Sequence, residues 1–152
     1  VLTHVAGLIS RRAIKIEYIN AGYTEEPDVT RINIVVSVED QRALNQAILQ
    51  LGRLIDVIKV VNLDEAPFIS YELAMLKVRT RTPEELAEIA NLADLFHAKV
   101  VDVNPKSVVL RLTGQEDHIE AMLHMLQEYE ILEIARTGQI SLSRGSTAVK
   151  QM

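Results

Sequence analysis

Histidines and paired carboxylates are the residue types in this chain whose spacing could support chemistry. Four histidines occur: His4, His97, His118 and His124. No two of them stand at the i,i+4 spacing that sets two ligands on one helix face, and His118 and His124 fall on different faces of a helix. They read as solvated surface side chains. Glu84-Glu85 and Glu116-Asp117 form carboxylate pairs, but each sits where a helix begins, and acids there offset the macrodipole. Arg79 and Arg81 flank Thr80 as a small basic patch, most simply the exposed end of a strand. There is no glycine-rich phosphate loop and no G-x-S-x-G turn. These patterns predict no catalytic centre and no metal site in the chain.

The elements that carry these residues follow from hydrophobic period. Residues 1–12 read as a helix with Leu2, Val5, Leu8 and Ile9 on one face and Arg11 and Arg12 in the last turn. A β-hairpin follows over 14–38. Ile14, Ile16 and Tyr18 alternate with Lys15 and Glu17, and Ile32, Ile34, Val36 and Val38 with Arg31, Asn33 and Ser37. Ala21-Gly22 and Thr24 to Asp28 supply the turn chemistry between them. Glu39 and Asp40 open a second helix with the stripe Leu44, Ala47, Ile48 and Leu51, stopped by Gly52. Residues 55–61 read as a strand and 63–67 as a linker.

A second series starts beyond that linker. Residues 71–79 read as a strand, and Thr82-Pro83-Glu84-Glu85 is a capping box with proline at the first helical position. Leu86, Ile89, Ala93 and Phe96 share a face of the helix it launches. Strands over 99–103 and 107–112, a helix over 114–126, a strand over 131–136 and a short strand over 139–142 complete the series. The order is β-α-β-β-α-β, the split βαβ or ferredoxin-like order. The first half reads α-β-β-α-β, the same order without its opening strand. The fold expected is α+β, with two ferredoxin-like domains over 1–66 and 67–152. The comparison of halves also predicts that the natural chain begins earlier, with a strand beside 29–38 and a turn leading into Val1.

Composition bounds the function. Over 152 residues, 48% are hydrophobic and 24% charged, the balance of an ordinary globular protein. Aromatics at 4%, with no Trp, leave the core to Leu, Ile, Val and Ala, and the absence of Cys removes disulfides and thiolate metal sites. Domains of half this length bury little surface alone, which points to oligomerisation. A net charge of −5 argues against a nucleic-acid partner. No apolar run nears the roughly 18 residues of a membrane span, so no membrane partner is expected and the cytoplasm is the default.

One ligand site is available in such an order. The turn entering the first helix presents free backbone N–H groups that suit an anion, including an amino-acid carboxylate. That turn lies at or before Val1, Leu2 and Thr3, and Lys15 and Ile16 of a neighbouring copy could reach it if two hairpin sheets pair. Periodicity alone favours the plainer reading, with Leu2 as core and Lys15 as a solvated lysine.

The residues themselves carry a resemblance. Val1 to Arg12 with Ile16-Glu17 resembles the first helix and second strand of an ACT domain. Thr24-Glu25-Glu26-Pro27-Asp28 through Val36 resembles the hairpin of the acetolactate synthase (acetohydroxyacid synthase) small regulatory subunit, as does Leu54 to Val60. Glu72 to Val78, Glu133 to Gly138 and Ser141-Leu142-Ser143-Arg144-Gly145 are similar to the same family. The resemblance implies a non-catalytic subunit that binds the catalytic subunit, raises its activity and confers feedback inhibition by valine or another branched-chain amino acid. It implies a homodimer through ACT domains, with effector contacts at Val1, Leu2 and Thr3 and, from the other copy, Lys15 and Ile16. No cofactor is implied for this chain; thiamine diphosphate and Mg, with FAD as a further candidate, belong to the catalytic subunit. The alternative is a free-standing amino-acid-sensing ACT-domain regulator.

Two departures from the family pattern stand out. Its Asn-x-x-Gly turn is not in this sequence. Where the family has Gly-Tyr/Phe-Asn before Ile-Glu, this chain has Ala13-Ile14-Lys15. Lys15 replaces a neutral amide with a longer, charged donor that cannot accept.

Overall fold

A computed structural model describes residues 1–10 and 14–152. They form two compact units: Val1–Ile69 with Ile140–Met152, and Ser70–Gln139. Among the described residues no helix is long and apolar enough to cross a membrane.

The first unit opens with α1 (Leu2–Ser10), which buries Val5 and Ile9. The helix was expected to reach residue 12, but its last two residues and their cations lie outside the described residues. The hairpin follows as β1 (Ile14–Tyr23) and β2 (Thr30–Val38), antiparallel from Ile14 opposite Val38 to Tyr23 opposite Thr30. Its alternation breaks once. Ile16 opposes Val36 and Tyr18 opposes Val35, so Glu17 is an extra residue, a bulge. Tyr18 therefore shares a face with Val35, not with Ile14 and Ile16 as strict alternation predicted. Beyond the bulge Ile19 opposes Ile34 and Ala21 opposes Ile32. α2 (Gln41–Leu51) packs Ala47 and Leu51 into a core shared with Val5, Ile9 and Ile14. The Asp40 carboxylate accepts the Arg42 N–H at 2.9 Å, and Gly52 closes the helix.

Residues 55–61 are not a strand, which corrects the sequence reading. The N–H groups of Arg53, Leu54 and Val57 donate to the carbonyls of Gln50, Leu51 and Leu54, each three residues back. Those turns curl the chain and withdraw the groups from any ladder. Leu54, Val57 and Val60 pack on the core at a spacing of three, while Ile55 is 100% exposed and Ile58 81%. The apolar residues were legible; their period was not two.

The second unit has the expected order: β3 (Phe68–Arg79), α3 (Pro83–Leu95), β4 (Lys99–Asn104), β5 (Ser107–Gly114), α4 (Glu116–Met125) and β6 (Ile131–Arg136). Its strands lie β4-β5-β3-β6, all antiparallel, which is the split βαβ topology. Alternation on β3 sends Ala74, Leu76 and Val78 to the helices, where they meet Ile89, Leu110, Leu112, Ile119, Met122 and Leu126 in a fully buried core. Thr82 caps α3 by accepting the Glu85 N–H at 3.1 Å, and the Glu85 carboxylate accepts the Arg81 N–H at 2.7 Å. His97 takes a left-handed φ of 57° after α3, and the Ala98 N–H closes back onto Ala93 at 2.8 Å. On the sheet's open face Lys77 meets its cross-strand neighbour Glu133 at 2.7 Å; the hydrogen bond raises the lysine's pKa and lowers the carboxylate's.

A short strand, β7 (Ile140–Ser143), follows. The tail from Ile140 to Met152 belongs to the first unit by its contacts. The Arg31 guanidinium donates to the Ser141 carbonyl at 2.7 Å, the Arg144 N–H to the Pro67 carbonyl at 2.9 Å, and Lys150 meets Glu26 at 2.8 Å.

Candidate effector site

Val1, Leu2 and Thr3 form the start of α1, and all three are exposed. Val5 N–H donates to the Val1 carbonyl at 2.9 Å, so the helix winds from its first residue and the N–H groups ahead of Val5 have no acceptor within it. Leu2 is not core: the helix buries Val5 and Ile9 and leaves Leu2 about half in solvent. The other candidate residues stand at the start of β1. Lys15 stands there with its side chain 76% exposed and its ammonium 3.6 Å from Glu17. Ile16, opposite Val36, packs partly against the first core.

These residues belong to two elements, the start of α1 and the start of β1. α1 rises about 1.5 Å per residue, so it spans roughly 12 Å from Leu2 to Ser10. Each group offers donors: unpaired helix N–H at one, an ammonium at the other. A carboxylate suits either.

The other residues singled out by type are absorbed by structure. Glu130 accepts from both Arg79, at 2.9 Å, and Arg81, at 2.6 Å, so one carboxylate ties the two cations of the small basic patch together. Glu85 serves the α3 cap, and the Asp117 carboxylate accepts the His118 N–H at 2.9 Å. His118 differs from the solvated reading. It is half-buried, its ring 5.5 Å from that of Phe96, and its Nε2 lies 2.9 Å from the Phe96 carbonyl. A carbonyl only accepts, so Nε2 carries the proton. His4, His97 and His124 are exposed.

One polar group escaped sequence reasoning. Glu72 is buried on the helix-facing side of β3 and pairs with Arg136 of β6, which also meets Glu120 of α4 at 2.8 Å. The available signal was Glu72 at a core position of the β3 alternation.

Comparison with known proteins agrees with this architecture on both sides of the linker. Residues 1–59 match the family model described as the AHAS small subunit-like ACT domain. Residues 71–145 match the one described as the small subunit of acetolactate synthase. A probable acetolactate synthase small subunit of Methanothermobacter thermautotrophicus is 41% identical over 146 residues, covering 96% of this chain and 86% of that protein. The acetolactate synthase small subunit of Mycolicibacterium smegmatis is 43% identical over 149 residues, covering 98% and 86%. The crystal structure of the acetolactate synthase small subunit from Thermotoga maritima superposes with a TM-score of 0.83 at 32% identity, covering 96% of this chain and 90% of that one. Matches of this extent, in both halves and in one order, establish that the chain belongs to the acetolactate synthase small-subunit family, a family of regulatory subunits built on ACT domains.

Proposed function

We propose that this chain assembles with the thiamine-diphosphate-dependent catalytic subunit of acetolactate synthase, performs no chemistry itself, raises the activity of that subunit and makes it sensitive to valine or another branched-chain amino acid. Thiamine diphosphate, Mg and any FAD reside on the catalytic subunit, and the assembly works in the cytoplasm. The functional division is that of the sequence, a regulatory ACT domain over 1–66 and a second ACT-like domain over 67–152. Its support is that the two family matches end and begin on either side of residue 66. The free-standing regulator is set aside, because relatives along almost the whole chain carry the small-subunit name.

The effector lies between two copies joined through their ACT domains, with Val1, Leu2 and Thr3 from one and Lys15 and Ile16 from the other. The observation that supports this is the pair of exposed donor groups, free backbone N–H at the start of α1 and the Lys15 ammonium at the start of β1, each suited to a carboxylate. The helix start takes the carboxylate, and Leu2 and Ile16 give its branched side chain an apolar contact. Regulation is then linkage: an effector preferring one arrangement of the dimer by about 1–3 kcal/mol shifts the catalytic subunit by the same amount.

The test is acetolactate formation by the cognate catalytic subunit, alone and with the chain, each with and without L-valine. Activation by the chain, reversed by valine only when the chain is present, is expected. An unchanged rate on adding the chain would overturn the assignment.

A further inference from the structure

The helical side of the second unit carries a groove that the effector site does not use. It is a cavity of about 320 Å³ between α3 and the end of α4, lined by Glu88, Leu92, Leu95, Met125, Glu128 and Tyr129 among others. Its floor is apolar. Leu92 leans on the core, Leu95 is 75% exposed and Met125 about half exposed. Its rim is acidic, and no cationic side chain lines it. The Tyr129 hydroxyl donates to the Glu88 carboxylate at 2.6 Å. That bond, with burial and the nearby charges of Glu88, Glu128 and Glu85, pushes the phenol up to about 12.

Single exposed leucines are ordinary. Here three apolar side chains share one concavity with an acidic rim, a notch of a size for one apolar side chain and one cation. Methionine adds an adaptable surface, and Tyr129 offers a ring face to a cation. A second copy seated on this groove about a two-fold axis would set Glu88 and Glu128 against their own equivalents, a like-charge contact. The charge calls for a different, basic partner.

We infer that the α3–α4 groove docks a segment of the catalytic subunit that lays an apolar side chain on Leu92, Leu95 and Met125 and a Lys or Arg against Glu88 and Glu128. The inference rests on the reading that this chain assembles with that subunit.

The test measures the affinity of the full chain for the cognate catalytic subunit by biolayer interferometry, with sedimentation velocity of the chain alone. Variants Leu95→Glu and Glu128→Lys alter exposed side chains, and each is expected to weaken binding about tenfold or more at an unchanged thermal midpoint. Met75→Glu, on the open sheet face, is expected to keep wild-type affinity. Groove variants within about twofold of wild type would overturn the docking site and leave the function standing. The same follows if Met75→Glu alone weakens binding, or if Leu95→Glu changes self-association of the chain and not the complex. Wild-type chain that fails to bind would overturn both.

Discussion

Arg136 and Glu72 form an ion pair 2.5 Å long inside the second unit, with the Glu72 side chain 1% exposed. Arg136 stands opposite Ala74 on the neighbouring strand, so Glu72 is its diagonal neighbour on the helix-facing side. The guanidinium reaches Glu120 with its other arm, tying the sheet to α4. Removing one member leaves a buried charge without compensation, whereas replacing both with apolar residues removes the desolvation cost as well. Arg136→Ala is expected to destabilise the protein by about 3–5 kcal/mol, and the double change Glu72→Leu with Arg136→Met by clearly less. Urea unfolding of the three proteins gives the order; equal losses would show that packing, not charge, dominates here.

Gly114 and His118 define a second tight contact. A Cβ added at Gly114 would lie 2.7 Å from His118 Cδ2 and 3.2 Å from its Cβ and Cγ. The ring cannot simply swing away, because Nε2 donates to the Phe96 carbonyl and Cβ is fixed to the first turn of α4. Gly114→Ala is expected to cost about 1–3 kcal/mol through overpacking. Adding His118→Ala should recover part of that loss, so the double mutant is more stable than the sum of the two single effects. Additive losses in chemical unfolding would contradict the contact.

These two contacts mark where the sequence was opaque. The α3 cap was legible because Thr82, Pro83 and Glu85 act within one turn, and β3 and β5 were legible as strands from their own residues, without knowledge of the partner. The bulge at Glu17 was not, since it is a property of two strands in register. Residues 55–61 misled because their aliphatic residues suit both a strand and a turn packed every third residue. The return of the tail depends on Arg31 reaching Ser141 across 110 residues of chain, and no local pattern announces it. Of the proposed site, Lys15 was legible as a residue type and the helix start at Val1 to Thr3 from the helical stripe that follows it. Leu2 was ambiguous, because a helical stripe does not say where burial stops.

Tyr129 makes alkaline stability a readable quantity. Its phenol is raised to about 12, first by the hydrogen bond to Glu88, then by burial and nearby carboxylate charge. A raised pKa means the folded state holds the proton more tightly than the unfolded chain. The contribution is therefore fully present below about pH 10, the unfolded value, and is lost as pH rises toward about 12. Thermal midpoints across that window should fall more steeply for the wild type than for Tyr129→Phe. Solvent screening at this largely open site keeps the difference small. Phenolate absorbance checks the assignment: Tyr129→Phe should remove a late step from the titration.

Lys15 stands at the proposed effector contact, where the family resemblance leads one to expect a neutral amide. Its side chain is largely solvated, and its neighbour Glu17 is an exposed partner at 3.6 Å, an ion pair that contributes little to folding. Lys15→Asn is therefore expected to leave the thermal midpoint and the activation of the catalytic subunit unchanged. What should change is the valine concentration for half-inhibition, because an amide can accept from the effector's ammonium where a lysine repels it. A fall in that concentration of about fivefold or more corresponds to about 1 kcal/mol of added coupling. Lys15→Glu presents an acceptor to the ammonium and a repulsive charge to the carboxylate, so its shift reports which end of the effector lies nearest. An identical inhibition curve for all three proteins would remove Lys15 from the site while leaving the start of α1 as its anchor.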